Sequence, residues 1–133
     1  MNLAQFAKTT AGGIMRALIV ENQAELGGLW QRHMQRLGVD ADLVLSEADA
    51  LAALEAADYN VMVLDLVLEK GAALALSDYA SYRHPSVKVI FVTNTGFFSD
   101  GSIFNHCANA CAFVPTGTPP DDLAAMVEHY GTG

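Results

Sequence analysis

Positive charge is scarce in this chain. Seven Lys and Arg stand against fifteen Asp and Glu over 133 residues, a formal charge of -8, and no dense basic run occurs that could neutralise a row of phosphates. Direct nucleic-acid binding is therefore not expected. Long apolar runs are missing too. None approaches the ~20 residues of a membrane-spanning helix, so the sequence reads as a soluble protein with no membrane partner. The opening MNLAQFAKTTAGG has one Lys and too short an apolar stretch for a signal peptide, which implies a cytoplasmic location. Cysteine is limited to Cys107 and Cys111, four apart in an Ala-rich segment. In a cytoplasmic protein these read as small buried side chains rather than a disulfide, metal or redox pair. No Gly-x-Ser-x-Gly elbow is present, and His33, His84, His106 and His129 are scattered without metal-ligand spacing. The expectation is that the protein is not an enzyme.

What is present is apolar material. Hydrophobic residues make up 52% of the chain and charged ones 17%, which places it on the folded side of the boundary with disordered sequences. Two compact units would leave each near the ~60 residues at which a core becomes marginal, so one domain is expected. Residues 1-13 end in Thr9-Thr10-Ala11-Gly12-Gly13 and read as a tail, with the domain spanning 14-133.

Along that domain the pattern alternates. Ala17-Leu18-Ile19-Val20 is a buried strand that breaks off at Glu21-Asn22-Gln23. From Ala24 to Leu37, the residues Leu26, Leu29, Trp30, His33, Met34 and Leu37 recur at helical steps, and Gly38 stops them. Gly27 and Gly28 weaken this helix by ~1 kcal/mol each against Ala. Val39 to Leu45 alternates as an edge strand should. Ser46, with Asp49 three residues on, caps the next helix. Val61-Met62-Val63-Leu64 is a wholly apolar central strand ending in Asp65. A loop containing Gly71 and a helix to about Tyr82 follow, then a strand from Val87 to Val92 ending at Thr93. A short helix over Ser99 to Asn109, a short last strand at Ala112-Phe113-Val114 and a helix opened by Pro119-Pro120-Asp121-Asp122 complete the chain.

Strands joined through helices run parallel, and right-handed crossovers cover both faces of the sheet. The fold class expected is therefore α/β, a doubly wound five-stranded parallel sheet of order 2-1-3-4-5. In that order the carboxyl ends of the first and third strands lie side by side at the switch point, where such sheets hold ligands. Glu21, Asn22 and Asp65 converge there, with the hydroxyls of Thr93 and Thr116 facing them from the other side. Carboxylates opposite hydroxyls suit a hard cation and a phosphoryl group. A carboxylate such as Asp65 can act as a nucleophile toward a phosphoryl donor.

These residues resemble the receiver domain of bacterial two-component response regulators, over nearly everything after Arg16. Ala17-Leu18-Ile19-Val20-Glu21-Asn22 is similar to that family's acidic-pair motif, and Val63-Leu64-Asp65-Leu66-Val67-Leu68 with Gly71 to its phosphoacceptor loop. Val89-Ile90-Phe91-Val92-Thr93 resembles its Thr motif, and Ala110-Cys111-Ala112-Phe113-Val114-Pro115-Thr116-Gly117 falls where its Lys-Pro motif belongs. The resemblance implies a flavodoxin-like, receiver-like fold and a role in phosphorelay signal transduction. It implies Asp65 as phosphoacceptor and Mg2+ held by Glu21, Asn22, Asp65 and the Val67 backbone carbonyl. Thr93, Phe113 and Thr116 take the phosphoryl-contact and switch positions. The partners implied are a histidine kinase or phosphotransfer protein and a downstream protein target. Phe97, Phe98, Ile103 and Phe104 make the face of the last two helices and last strand apolar, as core residues or as the surface of a homodimer or partner complex.

The departures lower the charge of the pocket. Asn22 replaces the second acid, which in the family binds the metal directly, so magnesium affinity should fall. Thr116 replaces the Lys and cannot make a charge-assisted contact to a phosphoryl oxygen. Losing a preorganised donor of that kind costs ~3-4 kcal/mol in a transition state. Asn94 follows Thr93 where a small residue is usual, and Glu69 stands in place of a frequent Pro. The expectation is a stand-alone, atypical receiver-like phosphoprotein module acting through protein contacts. The alternative is a pseudo-receiver independent of phosphorylation. A flavodoxin-type small-ligand binder is disfavoured, because Glu21-Asn22-Gln23-Ala24 lacks the Ser, Thr and Gly of a phosphate loop.

Overall fold

A computed structural model describes residues 15–65, 70–93 and 110–132 of the chain. In chain order these form β1 (Arg16–Val20), α1 (Ala24–Arg36), β2 (Asp40–Val44), α2 (Glu47–Ala56), β3 (Val61–Asp65), α3 (Lys70–Arg83), β4 (Lys88–Thr93), β5 (Ala110–Pro115) and α4 (Pro120–Thr132). The strands make one parallel sheet of order β2-β1-β3-β4-β5, the order expected from the alternation. The short helix expected over Ser99 to Asn109, the tail 1-13 and the apolar residues Phe97, Phe98, Ile103 and Phe104 lie outside the described residues. No described helix is long and apolar enough to cross a membrane.

The apolar runs of β1, β3 and β4 follow from burial on both faces. On one face, Ala17 and Ile19 of β1, Val61 and Val63 of β3, and Ile90 and Val92 of β4 pack with Trp30 and Met34 of α1 and Leu123 and Val127 of α4. The period of two sends Leu18, Val20, Met62, Leu64, Val89 and Phe91 to the other face, against Ala50 and Leu54 of α2 and Leu76 and Ala80 of α3. Each layer thus buries several large side chains, and each such side chain contributes ~1.5–3 kcal/mol by its removal from water.

Local signals set the element ends. Ser46 Oγ accepts the Asp49 N–H at 3.2 Å and starts α2. Gly38 sits at φ 84° just past α1, a left-handed conformation that a side chain disfavours, and its N–H donates to the Gln35 carbonyl at 3.0 Å. Two sequence expectations shift. Gly71, read as part of a loop, lies in the first turn of α3, which begins at Lys70. The last strand is six residues rather than three, because Ala110 and Cys111 continue the ladder across an irregularity opposite Val89 and Ile90. Cys111 is a half-buried free thiol, pushed up to about 11 mainly by burial, with its S–H directed at the Val89 carbonyl at 3.5 Å.

Candidate functional site

β1 and β3 are direct neighbours, with Val20 opposite Leu64. The next residue on each strand is acidic. Glu21 extends β1 by one step, its N–H donating to the Val44 carbonyl at 3.1 Å, and Asp65 ends β3. Both are closed off from solvent, at 0% and 1% exposure. The two carboxyls face one another, and the Gln23 and Asn22 backbone N–H groups lie near the Glu21 carboxyl and in part favour its charged form. Two carboxylates are both acceptors, so a hydrogen bond between them requires a proton. Burial first, and then the hydrogen bond and charge of Asp65, push the Glu21 carboxyl up to about 8.

The remaining candidate residues surround this pair unevenly. Asn22 is exposed beside it. Thr93 ends β4 half-buried, and its carbonyl accepts the Thr116 N–H at 2.9 Å, which ties the ends of β4 and β5 together. The Thr116 hydroxyl is buried without a hydrogen-bond partner. Phe113 stacks on the buried Phe91 ring, centroids 5.0 Å apart and planes 18° from parallel. Val67 lies outside the described residues, and nothing is described of the Lys70 side chain. Among the described residues no three His, Cys, Asp or Glu form a metal-holding group.

Lys70 opens α3 on this side of the sheet, and the other cations of the described residues sit elsewhere. Arg16 and Lys88 begin β1 and β4, Arg32 and Arg36 lie in the second half of α1, and Arg83 ends α3. Because each helix runs back against its strands, these positions belong to the opposite edge of the sheet. Arg16 there reaches Asp40 at 3.3 Å and Asp42 at 3.2 Å. The Tyr59 hydroxyl donates to Asp42 at 2.6 Å, the Arg16 N–H donates to Asn60 Oδ1 at 2.8 Å, and the guanidinium lies 5.2 Å from the Tyr59 ring centroid.

No protein-family profile matches the chain. Among solved structures it is similar to a CheY-like response regulator receiver domain protein from Methanospirillum hungatei JF-1, with TM-score 0.79 and 22% identity over 90% of this chain and 94% of that one. A response regulator from Thermotoga maritima gives TM-score 0.77 and 16% identity over 90% and 99% of the two chains. The orphan response regulator HP1043 of H. pylori gives 0.75 and 20% over 87% and 95%. The fold is the receiver fold. Within it the Glu21 and Asp65 carboxyls meet at the carboxyl ends of β1 and β3, the switch point of the receiver sheet.

Two features of the receiver fold here were missed by reading the sequence. The Arg16, Asp42 and Tyr59 cluster joins three segments far apart in the chain, and the Arg16/Asp40 pairing of adjacent strand starts was the available signal. Gly27, read only as a weak point of its helix, lies against Leu43 and Glu21.

Proposed function

We propose that this chain is a receiver-like signalling domain acting through protein contacts, with Asp65 in the phosphoacceptor position of a pocket too poor in positive charge for ordinary phosphoryl transfer. The observation that carries this reading is the buried Glu21 and Asp65 pair at the switch point, with the neutral Thr116 at the end of the neighbouring last strand. Residues 14–133 act as its unit.

The donor set suits a hard divalent cation: two buried carboxyls facing one another, with Asn22 next in the chain. Glu21, Asp65, Asn22 and the Val67 backbone carbonyl would hold Mg2+, which when bound supplies neutralising charge at the phosphoryl oxygens. Asp65 would attack the phosphorus of a phosphohistidine on a histidine kinase or phosphotransfer protein. The phosphorus–nitrogen bond breaks as the acyl phosphate forms, and the electron pair leaves with the imidazole. Thr93 offers a hydroxyl to the transferred group. Thr116 offers a second, but it is neutral and several atoms shorter than a Lys, so it reaches the site only through water.

This reading expects slow or undetectable phosphorylation of Asp65 and partner binding largely independent of it. Intact-mass analysis of wild type and Asp65→Asn after acetyl phosphate and magnesium checks both points. Rapid gain of one phosphoryl group by wild type, together with loss of a phosphate-dependent partner interaction in Asp65→Asn, would restore a conventional switch.

A further inference from the structure

Two glycines stand side by side in α1, and they face different surroundings. A Cβ at Gly28 would meet nothing closer than the Arg32 guanidinium at 3.6 Å, an ordinary contact. A Cβ at Gly27 would stand 2.5 Å from Leu43 Cδ1, 3.2 Å from Leu43 Cδ2 and 3.4 Å from Glu21 Cβ. The two short contacts are both methyls of the half-buried Leu43 side chain, which move together on a rotamer change, and the Glu21 Cβ contact is an ordinary one. Gly27 is buried, and its N–H donates to the Gln23 carbonyl at 2.9 Å in the first turn. Only Asn22 and Gln23 separate Glu21 from that helix. The first turn of α1 therefore rests directly on Leu43 and Glu21, at a separation that admits a side chain only if Leu43 gives way.

We infer that Gly27 is the positioning residue of the acidic pair: by lacking a Cβ it lets α1 sit close enough to the sheet to seal the Glu21 carboxyl opposite Asp65. A side chain at this position forces either Leu43 or the helix to move. Lifting the helix opens Glu21 to water and separates the two carboxyls. The inference rests on the reading of the pair as a cation site, and the experiment separates the two.

The test uses the full chain and magnesium alone as the probe. Affinity is measured by calorimetry, and crystal structures are compared for wild type, Gly27→Ala, Gly28→Ala, Leu43→Ala and Gly27→Ala/Leu43→Ala. Gly27→Ala should bind magnesium about tenfold more weakly, equivalent to ~1.4 kcal/mol, with a wider Glu21 to Asp65 separation. Gly28→Ala should match wild type, and the double variant should recover wild-type affinity because the space vacated at Leu43 accepts the methyl. A folded Gly27→Ala with unchanged affinity and unchanged carboxyl separation overturns the inference. So does a folded double variant that stays as weak as Gly27→Ala, and this arm decides if Gly27→Ala alone does not fold. If wild type takes up no magnesium, the cation reading fails by itself. The carboxyl separation in the variant structures then decides the inference, widening in Gly27→Ala supporting it and no change overturning it.

Discussion

At the amino edge of the sheet, Arg16 lies within 3.3 Å of Asp40 and 3.2 Å of Asp42, and Tyr59 adds a 2.6 Å hydrogen bond to the same Asp42 carboxylate. At the carboxyl edge, where β1 gives way to its loop, the buried Glu21 carboxyl meets that of Asp65. The first edge exposes its ions by a third or more, so water and counter-charges meet their demands. The second removes two acids from water and leaves them facing each other. Holding two acids side by side out of water is expensive unless a proton or a cation is held with them. The same strands thus end in an ion-paired edge and an acidic one, and the acidic edge is where an open parallel sheet of this order places a ligand.

Supplying the missing charge should have the largest effect. Thr116→Lys is expected to speed phosphorylation of Asp65 by about 10²–10³-fold, the usual worth of one preorganised donor, as followed by intact-mass time courses with acetyl phosphate. An unchanged rate would mean that the pocket is limited by something other than its lost cation. At the amino edge the effects are those of ordinary stability. Tyr59 is 6% exposed, and its hydroxyl is pushed far up by burial and by Asp42, so Tyr59→Phe should cost ~1 kcal/mol in urea unfolding and leave magnesium binding as it was. The smallest effect belongs to Arg16→Gln. Its ion pairs are partly exposed, so the loss should be under ~1 kcal/mol and shrink further in high salt.

Much of this contrast could be read in advance, and the unread part has a physical reason. Apolar runs ending in Glu21, Asp65 and Thr93 were enough to place the sheet order and to bring the acids to one rim, because strand ends at a switch point converge whatever their loops do. The depth of Glu21 was not legible. A charged residue opening a loop reads as solvated, yet Glu21 is 0% exposed, with Gly27 of α1 close to its Cβ. Asn22, the next residue, is exposed, a change of depth within one step that the sequence pattern does not carry. The Asp42 and Tyr59 bond was hidden for another reason: it depends on which residues of separate segments come level, and the pattern within each segment does not carry that.

Unfolding free energy against pH, compared between wild type and Glu21→Gln, tests the acidic edge most directly. The folded state holds the Glu21 proton from its ordinary value of 4.5 up to about 8, so it binds more protons than the unfolded chain across that window. Stability must then fall as pH rises, and the contribution is present below 4.5 and lost as pH passes about 8. Wild type should lose on the order of 2–4 kcal/mol across the window, Glu21→Gln should show a flatter profile, and saturating magnesium should restore much of the wild-type loss at pH 8. Parallel profiles for the two proteins, with no response to magnesium, would contradict the account.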